Sequence, residues 1–143
     1  MQRLVQNSEE QRKVLHLLGV CQILELSIKL FICRKQHFIE LKKGKNIPSE
    51  QIYREIQDFP LGNLIKRLKK LGVNHGLVGK LEIIKEDRDY LAHQALLSTY
   101  NLSIGFLEKL NKPRKELSFL EMNNQMTECL TLISQESQNY SAG

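Results

Sequence analysis

Tryptophan is missing from this chain, and four tyrosines and five phenylalanines are all of its aromatic content. A stacking platform of aromatic rings is therefore not what a nucleic-acid contact would rest on here. Proline and glycine are also scarce, at three and eight residues, and most of them fall between periodic segments, which leaves an all-helical layout. The three cysteines, Cys21, Cys33 and Cys129, are odd in number and widely spaced. Cys21 and Cys129 sit among apolar helical residues and read as reduced, buried thiols of a cytoplasmic protein.

Targeting and membrane signals are lacking too. The N-terminus "MQRLVQNSEEQRK" is polar and does not resemble a signal peptide. The most apolar stretch, "VLHLLGVCQILELSIKLFI", is broken by His16, Gln22, Glu25 and Lys29, so it reads as a mostly buried amphipathic helix and not as a membrane span. No metal is expected, because His16, His37, His75 and His93 are far apart and none has a cysteine or acid at a ligand spacing. No nucleotide cofactor is expected either. "LGVNHGLVGK" has glycines, but no strand precedes it and no Ser or Thr follows Lys80. Serine and cysteine nucleophile motifs are absent.

What is present fits one domain over residues 1–143: 41% apolar and 26% charged residues suit a soluble chain with a single core. The net charge of +5 is uneven. Residues 1–80 carry 15 Lys/Arg against 7 Asp/Glu, and residues 81–143 carry 6 against 9. The basic clusters are Arg34-Lys35, Lys42-Lys43-Lys45 and Lys66-Arg67-Lys69-Lys70. They point to a polyanion partner, or to a merely solvated basic surface.

The periodicity predicts a long first helix from about Ser8 to Leu41, capped by Ser8. It would carry a narrow polar strip of Gln22, Glu25, Lys29 and Gln36 and a wide apolar remainder. So apolar a helix must be the spine of a bundle or part of a dimer interface. "KKGKNIPSEQ" is a loop, followed by a short helix "SEQIYREIQ" with Ser49 as its cap. "DFPLGNLIKRLKKLG" is the second main helix, opened at Pro60, with Lys69 and Lys70 in its last turn and Gly72 beyond it. The third runs from near Asn74 to about Tyr100. The last runs from about Pro113 to Gln138, with Leu117, Leu120, Met126, Leu130 and Ile133 facing the core. A frayed tail follows, over about 137–143. The predicted fold is an up-and-down four-helix bundle with a short extra helix.

The third helix carries the question of function. Leu77, Leu81, Ile84, Leu91 and Ala95 form one apolar stripe, and Arg88 interrupts it. Burying an unpaired guanidinium is costly, so Arg88 must find a partner or face a cleft. Asp89 and His93 stand four apart and share a face, with Glu82 and Glu86 extending it. The residues alone allow a purely structural account. Glu82, Lys85 and Asp89 would form a surface ion-pair ladder, His93 would be half-buried, and Arg88 would pair with a carboxylate on another helix.

"DRDYLAHQALL" resembles the signature of the HEPN superfamily, helical bundles whose active members carry Arg, four to six residues, then His. "PLGNLIKRL" followed by "RDYLAH" looks like an uncharacterised bacterial branch of such proteins. Arg88 and His93 match with four intervening residues, and Asp89 stands where that family often has asparagine. The resemblance implies a bundle over nearly the whole chain and metal-independent RNA cleavage by the ribose 2′-hydroxyl. His93 would move protons and Arg88 would stabilise the phosphorane, while Asp89 would orient the imidazole. It also implies a homodimer with a composite site in a shared cleft. The biological role would be that of a toxin or defence effector, opposed by an antitoxin such as a small nucleotidyltransferase. Lys66, Arg67, Lys69 and Lys70 are the expected RNA contacts. The rival expectation is a catalytically inactive HEPN-like bundle that binds nucleic acid or protein.

Overall fold

The computed structural model describes the backbone of residues 2–100 and 119–141, together with the side chains of residues 9, 11–93 and 119–138. Its elements are α1 (Gln2–Lys42), α2 (Ser49–Ile56), α3 (Leu61–Lys70), α4 (His75–Tyr100) and α5 (Phe119–Ser141). The fold is all-α, and the described residues contain no strand. Both α4 and α5 pack along α1 and against each other, α2 folds back on α1, and α3 bridges α1 and α4. His16 of α1 meets Asn123 of α5, and Cys21 meets Met126 further along both helices.

Local chemistry explains several of the boundaries. The Asn74 side chain accepts a hydrogen bond from the Gly76 amide at 2.7 Å, which makes it the cap of α4. Gly72 has φ 76°, and the Val73 amide reaches back to the Leu68 carbonyl. That left-handed stop, which disfavours residues with a Cβ, ends α3 after its basic last turn. Pro60, extended at φ −67° and ψ 163°, sits just before α3 as its N-cap.

Other boundaries differ from the sequence reading. Ser8 lies inside α1, because Gln2 to Asn7 contain no proline or glycine to stop the helix there. Ser49 is the first residue of α2. Pro48 holds the cap position, its carbonyl accepting from the Gln51 and Ile52 amides, and no side chain caps the helix. The backbone is helical to Ser141. On α5 the buried residues are Met122, Met126, Cys129 and Ile133, whereas Leu120 is 65% exposed and Leu130 only half-buried. Pro113 and Leu117 lie outside the described residues.

The largest departure concerns α1. Its buried face is Leu17, Cys21, Leu24, Ile28, Phe31 and Ile32, each large aliphatic contributing about 2 kcal/mol by leaving water. Three of the four residues of the polar strip turn to partners elsewhere in the fold. Glu25 faces Arg88 of α4, Lys29 donates to the Gln57 carbonyl at 2.6 Å, and Gln36 accepts from Arg67 of α3. What faces outward instead is apolar: Leu15, Ile23, Leu26 and Leu30 are each about half exposed or more. By length and composition Gln11–Lys42 could also cross a membrane, although one side of it is the core of this bundle.

Candidate functional site

The stripe on α4 is as buried as its spacing implies: Leu77, Leu81, Ile84 and Leu91 are each at most 4% exposed. Ala95 lies outside the described side chains. Arg88 satisfies both of the alternatives that its place in the stripe demands. Its Nε stands 2.9 Å from Glu25 Oε1 of α1, yet its side chain remains 37% exposed, against 15% for Glu25. The pair is electrostatic, since Glu25 Oε1 is buried and accepts no well-aligned hydrogen bond among the described residues.

Asp89, half exposed, leans towards the same guanidinium, with Oδ1 3.9 Å from Nη1. Asp87, next to Arg88, is fully buried. Cys21 reports how close these charges lie. Burial first, then the carboxylates of Glu25 and Asp87, push its thiol up to about 12, while Arg88 pulls the other way. One guanidinium thus shares its surroundings with three carboxylates, two of them mostly or fully buried. His93 is half-buried on α4, five residues beyond Arg88 and so about 140° round the helix from it.

The four-residue basic cluster divides by environment. Arg67 is turned inward, with a side chain only 18% exposed. It donates to Gln36 Oε1 and Glu55 Oε1, both at 2.9 Å, and lies 5.7 Å above the Phe59 ring. Lys69 bridges to Glu82 at 2.7 Å, which removes Glu82 from the expected ladder with Lys85 and Asp89. The Lys85 stem instead runs past Gly62, where a Cβ would stand 3.0 Å from Lys85 Cε. Lys66 and Lys70 are exposed, and Lys70 lines a groove with Lys43, Arg67, Gln36 and Glu40. Among the described residues no cluster of histidine, cysteine and acid could hold a metal ion.

The sequence reading missed the partners. The pattern puts Glu25 in a polar strip with no partner assigned, and it does not single out Asp87. Asp87 could have been found, because it falls between Ile84 and Leu91 at spacings of three and four, the test that exposed Arg88. No protein-family model, curated protein or solved structure matches the chain.

Proposed function

We propose that this chain is a HEPN-like ribonuclease that cleaves RNA without a metal, working in the cytoplasm as a homodimer. The supporting observation is Arg88: a cation fixed within a buried stripe, still accessible, and followed on the same helix by half-buried His93. In the proposed reaction the 2′-oxygen forms a bond to phosphorus and the 5′-oxygen leaves with a proton. His93 suits the proton movements, because imidazole titrates near neutrality. Arg88 suits the phosphorane, because its planar fork can bind two of its oxygens. Asp89 leans on Arg88, so on this reading it helps set the guanidinium as well as the imidazole.

A dimer draws support from the outward apolar face of α1, since four large aliphatics on one helix face call for cover. An antitoxin protein would then hold a toxin of this kind in check. The test is incubation of the purified chain with mixed RNAs in EDTA, beside light scattering at tens of micromolar. Cleavage by a species of twice 16.6 kDa is the expected result. Intact RNA would sink the ribonuclease, and a monomer would sink the composite site.

A second reading has its own observation. Glu25 and Asp89 both lie against the single guanidinium, and a phosphate approaching it meets their repulsion. On that reading the bundle is catalytically inactive and binds nucleic acid or protein. Salt-sensitive RNA binding without cleavage would favour it.

A further inference from the structure

We propose that Glu25 of α1 is the positioning residue of the Arg88 site, and this rests on the ribonuclease reading above. An exposed arginine side chain on a helix ordinarily samples many rotamers, and each hydrogen bond it makes must offset that freedom. Here the chain is gripped near its base. Glu25 Oε1 lies 2.9 Å from Nε, and the Glu25 side chain is itself only 15% exposed, so it is held by the packing of α1 against α4. Asp89 Oδ1 lies further off, 3.9 Å from Nη1. Glu25 therefore holds the guanidinium by charge, while 37% of the Arg88 side chain stays exposed, so the planar group that matches two phosphate oxygens can be reached.

The division of labour follows from the elements. Glu25 belongs to the long spine helix, whose position is set by Cys21, Leu24 and Ile28 around it, all at most 1% exposed. Arg88 belongs to α4. Their pairing fixes the rotation of α4 against α1 at the one place where the apolar stripe is interrupted. A guanidinium displaced by about 1 Å can cost on the order of a hundredfold in rate, so an anchor for its base has a kinetic value that a surface ion pair lacks.

The experiment uses the full chain and five variants: Glu25→Gln, Glu25→Ala, Arg88→Ala, Arg88→Lys and Glu25→Ala combined with Arg88→Ala. The NMR order parameter of Arg88 Nε, assigned with Arg88→Lys, reports the hold directly. It should be near the rigid value of about 0.85 in the wild type and fall below about 0.6 in Glu25→Ala. In EDTA, Glu25→Ala should lower kcat for RNA about 10–100-fold with KM nearly unchanged, and Glu25→Gln should lie between. The double variant should be no slower than Arg88→Ala alone, because Glu25 acts only through that arginine. An unchanged Nε order parameter in Glu25→Ala overturns the proposal, as does a double variant much slower than Arg88→Ala. A wild type that cuts no RNA overturns the ribonuclease reading, and the order parameters then decide the hold of Glu25 on Arg88 by themselves.

Discussion

Arg67 and Arg88 look alike in the sequence, each a cation among leucines on a helix, and the fold treats them differently. Arg67 of α3 has two hydrogen-bonded partners from α1 and α2 and an aromatic ring beneath it, and little of it meets water. Arg88 of α4 has one close partner and twice the exposure, 37% against 18%. Arg67 ties three helices together and has no fork left over. Arg88 is tied once, near its base, and keeps its tip. A helical bundle can thus hold the same residue as a staple or, on the proposed reading, as a reagent, and the number of partners separates the two.

The largest expected effects fall on function. On the proposed reading, His93→Ala should lower RNA cleavage by about 10²–10⁴-fold, the range for a lost proton-transfer group. Arg67→Ala, measured per folded molecule, should leave cleavage nearly intact. Equal losses in the two variants would erase the distinction drawn between the arginines. Stability should show the reverse order. Arg67→Ala strands Gln36 and uncovers Phe59, and should cost about 2–3 kcal/mol in denaturant unfolding. Arg88→Ala strands the mostly buried Glu25, yet water can enter where a 37% exposed side chain stood, so about 1–2 kcal/mol is expected. That lies between the loss of an exposed cation and that of a fully buried one. A larger loss for Arg88→Ala than for Arg67→Ala would make Arg88 the staple.

These partners explain which parts of the fold could be read from the sequence. Asn74, Gly72 and Pro60 act within a turn of themselves, so their roles at helix ends were legible. The stripe of Leu77, Leu81, Ile84 and Leu91 was legible for the same reason, since periodicity is local. The direction of the core was not legible on α1, which is apolar on nearly every side. Its period shows which residues share a face but not which face meets α4 and α5. Hence the period shows Glu25, Lys29 and Gln36 only as a polar strip, whereas the fold turns them to partners and leaves Leu15, Ile23, Leu26 and Leu30 facing outward. Partners such as Glu25 for Arg88, or Gln36 for Arg67, come from distant chain segments. Only packing selects them.

The neighbourhood of Arg88 also sets an alkaline limit. Burial raises the Cys21 thiol from an ordinary 9.0 to about 12, and burial with the adjacent Glu128 raises Cys129 to about 11. Between pH 9 and those values the unfolded chain loses the thiol protons while the folded chain keeps them. Stability is then complete below pH 9 and falls as pH rises, by about 1.4 kcal/mol per pH unit for each thiol. Cys21→Ala should lower stability by a constant amount below pH 9 and make the decline above it shallower. A parallel decline in variant and wild type would show that Cys21 ionises as readily folded as unfolded. Arg88→Ala removes the charge that favours the Cys21 thiolate, so the decline should still begin near pH 9 but extend to higher pH.

The smallest effect sharpens the same contrast within four residues of α3. Lys66 and Lys70 are exposed, whereas Arg67 is spent on Gln36 and Glu55 and Lys69 on Glu82. If this face attracts RNA, binding weakens with salt in proportion to the phosphates neutralised, by about 0.7 in log–log slope for each contact to a single strand. Lys66→Gln with Lys70→Gln should therefore flatten the slope by about 1.4. Arg67→Gln should leave it unchanged, because a guanidinium already bridging two partners releases no counterion when RNA arrives. The measurement is RNA affinity for each variant between roughly 50 and 200 mM salt, with melts to confirm folding. A flatter slope for Arg67→Gln than for the lysine pair would mean that Arg67 exchanges its internal partners for phosphate. The division between staple and reagent would then fail at the residue that defines it.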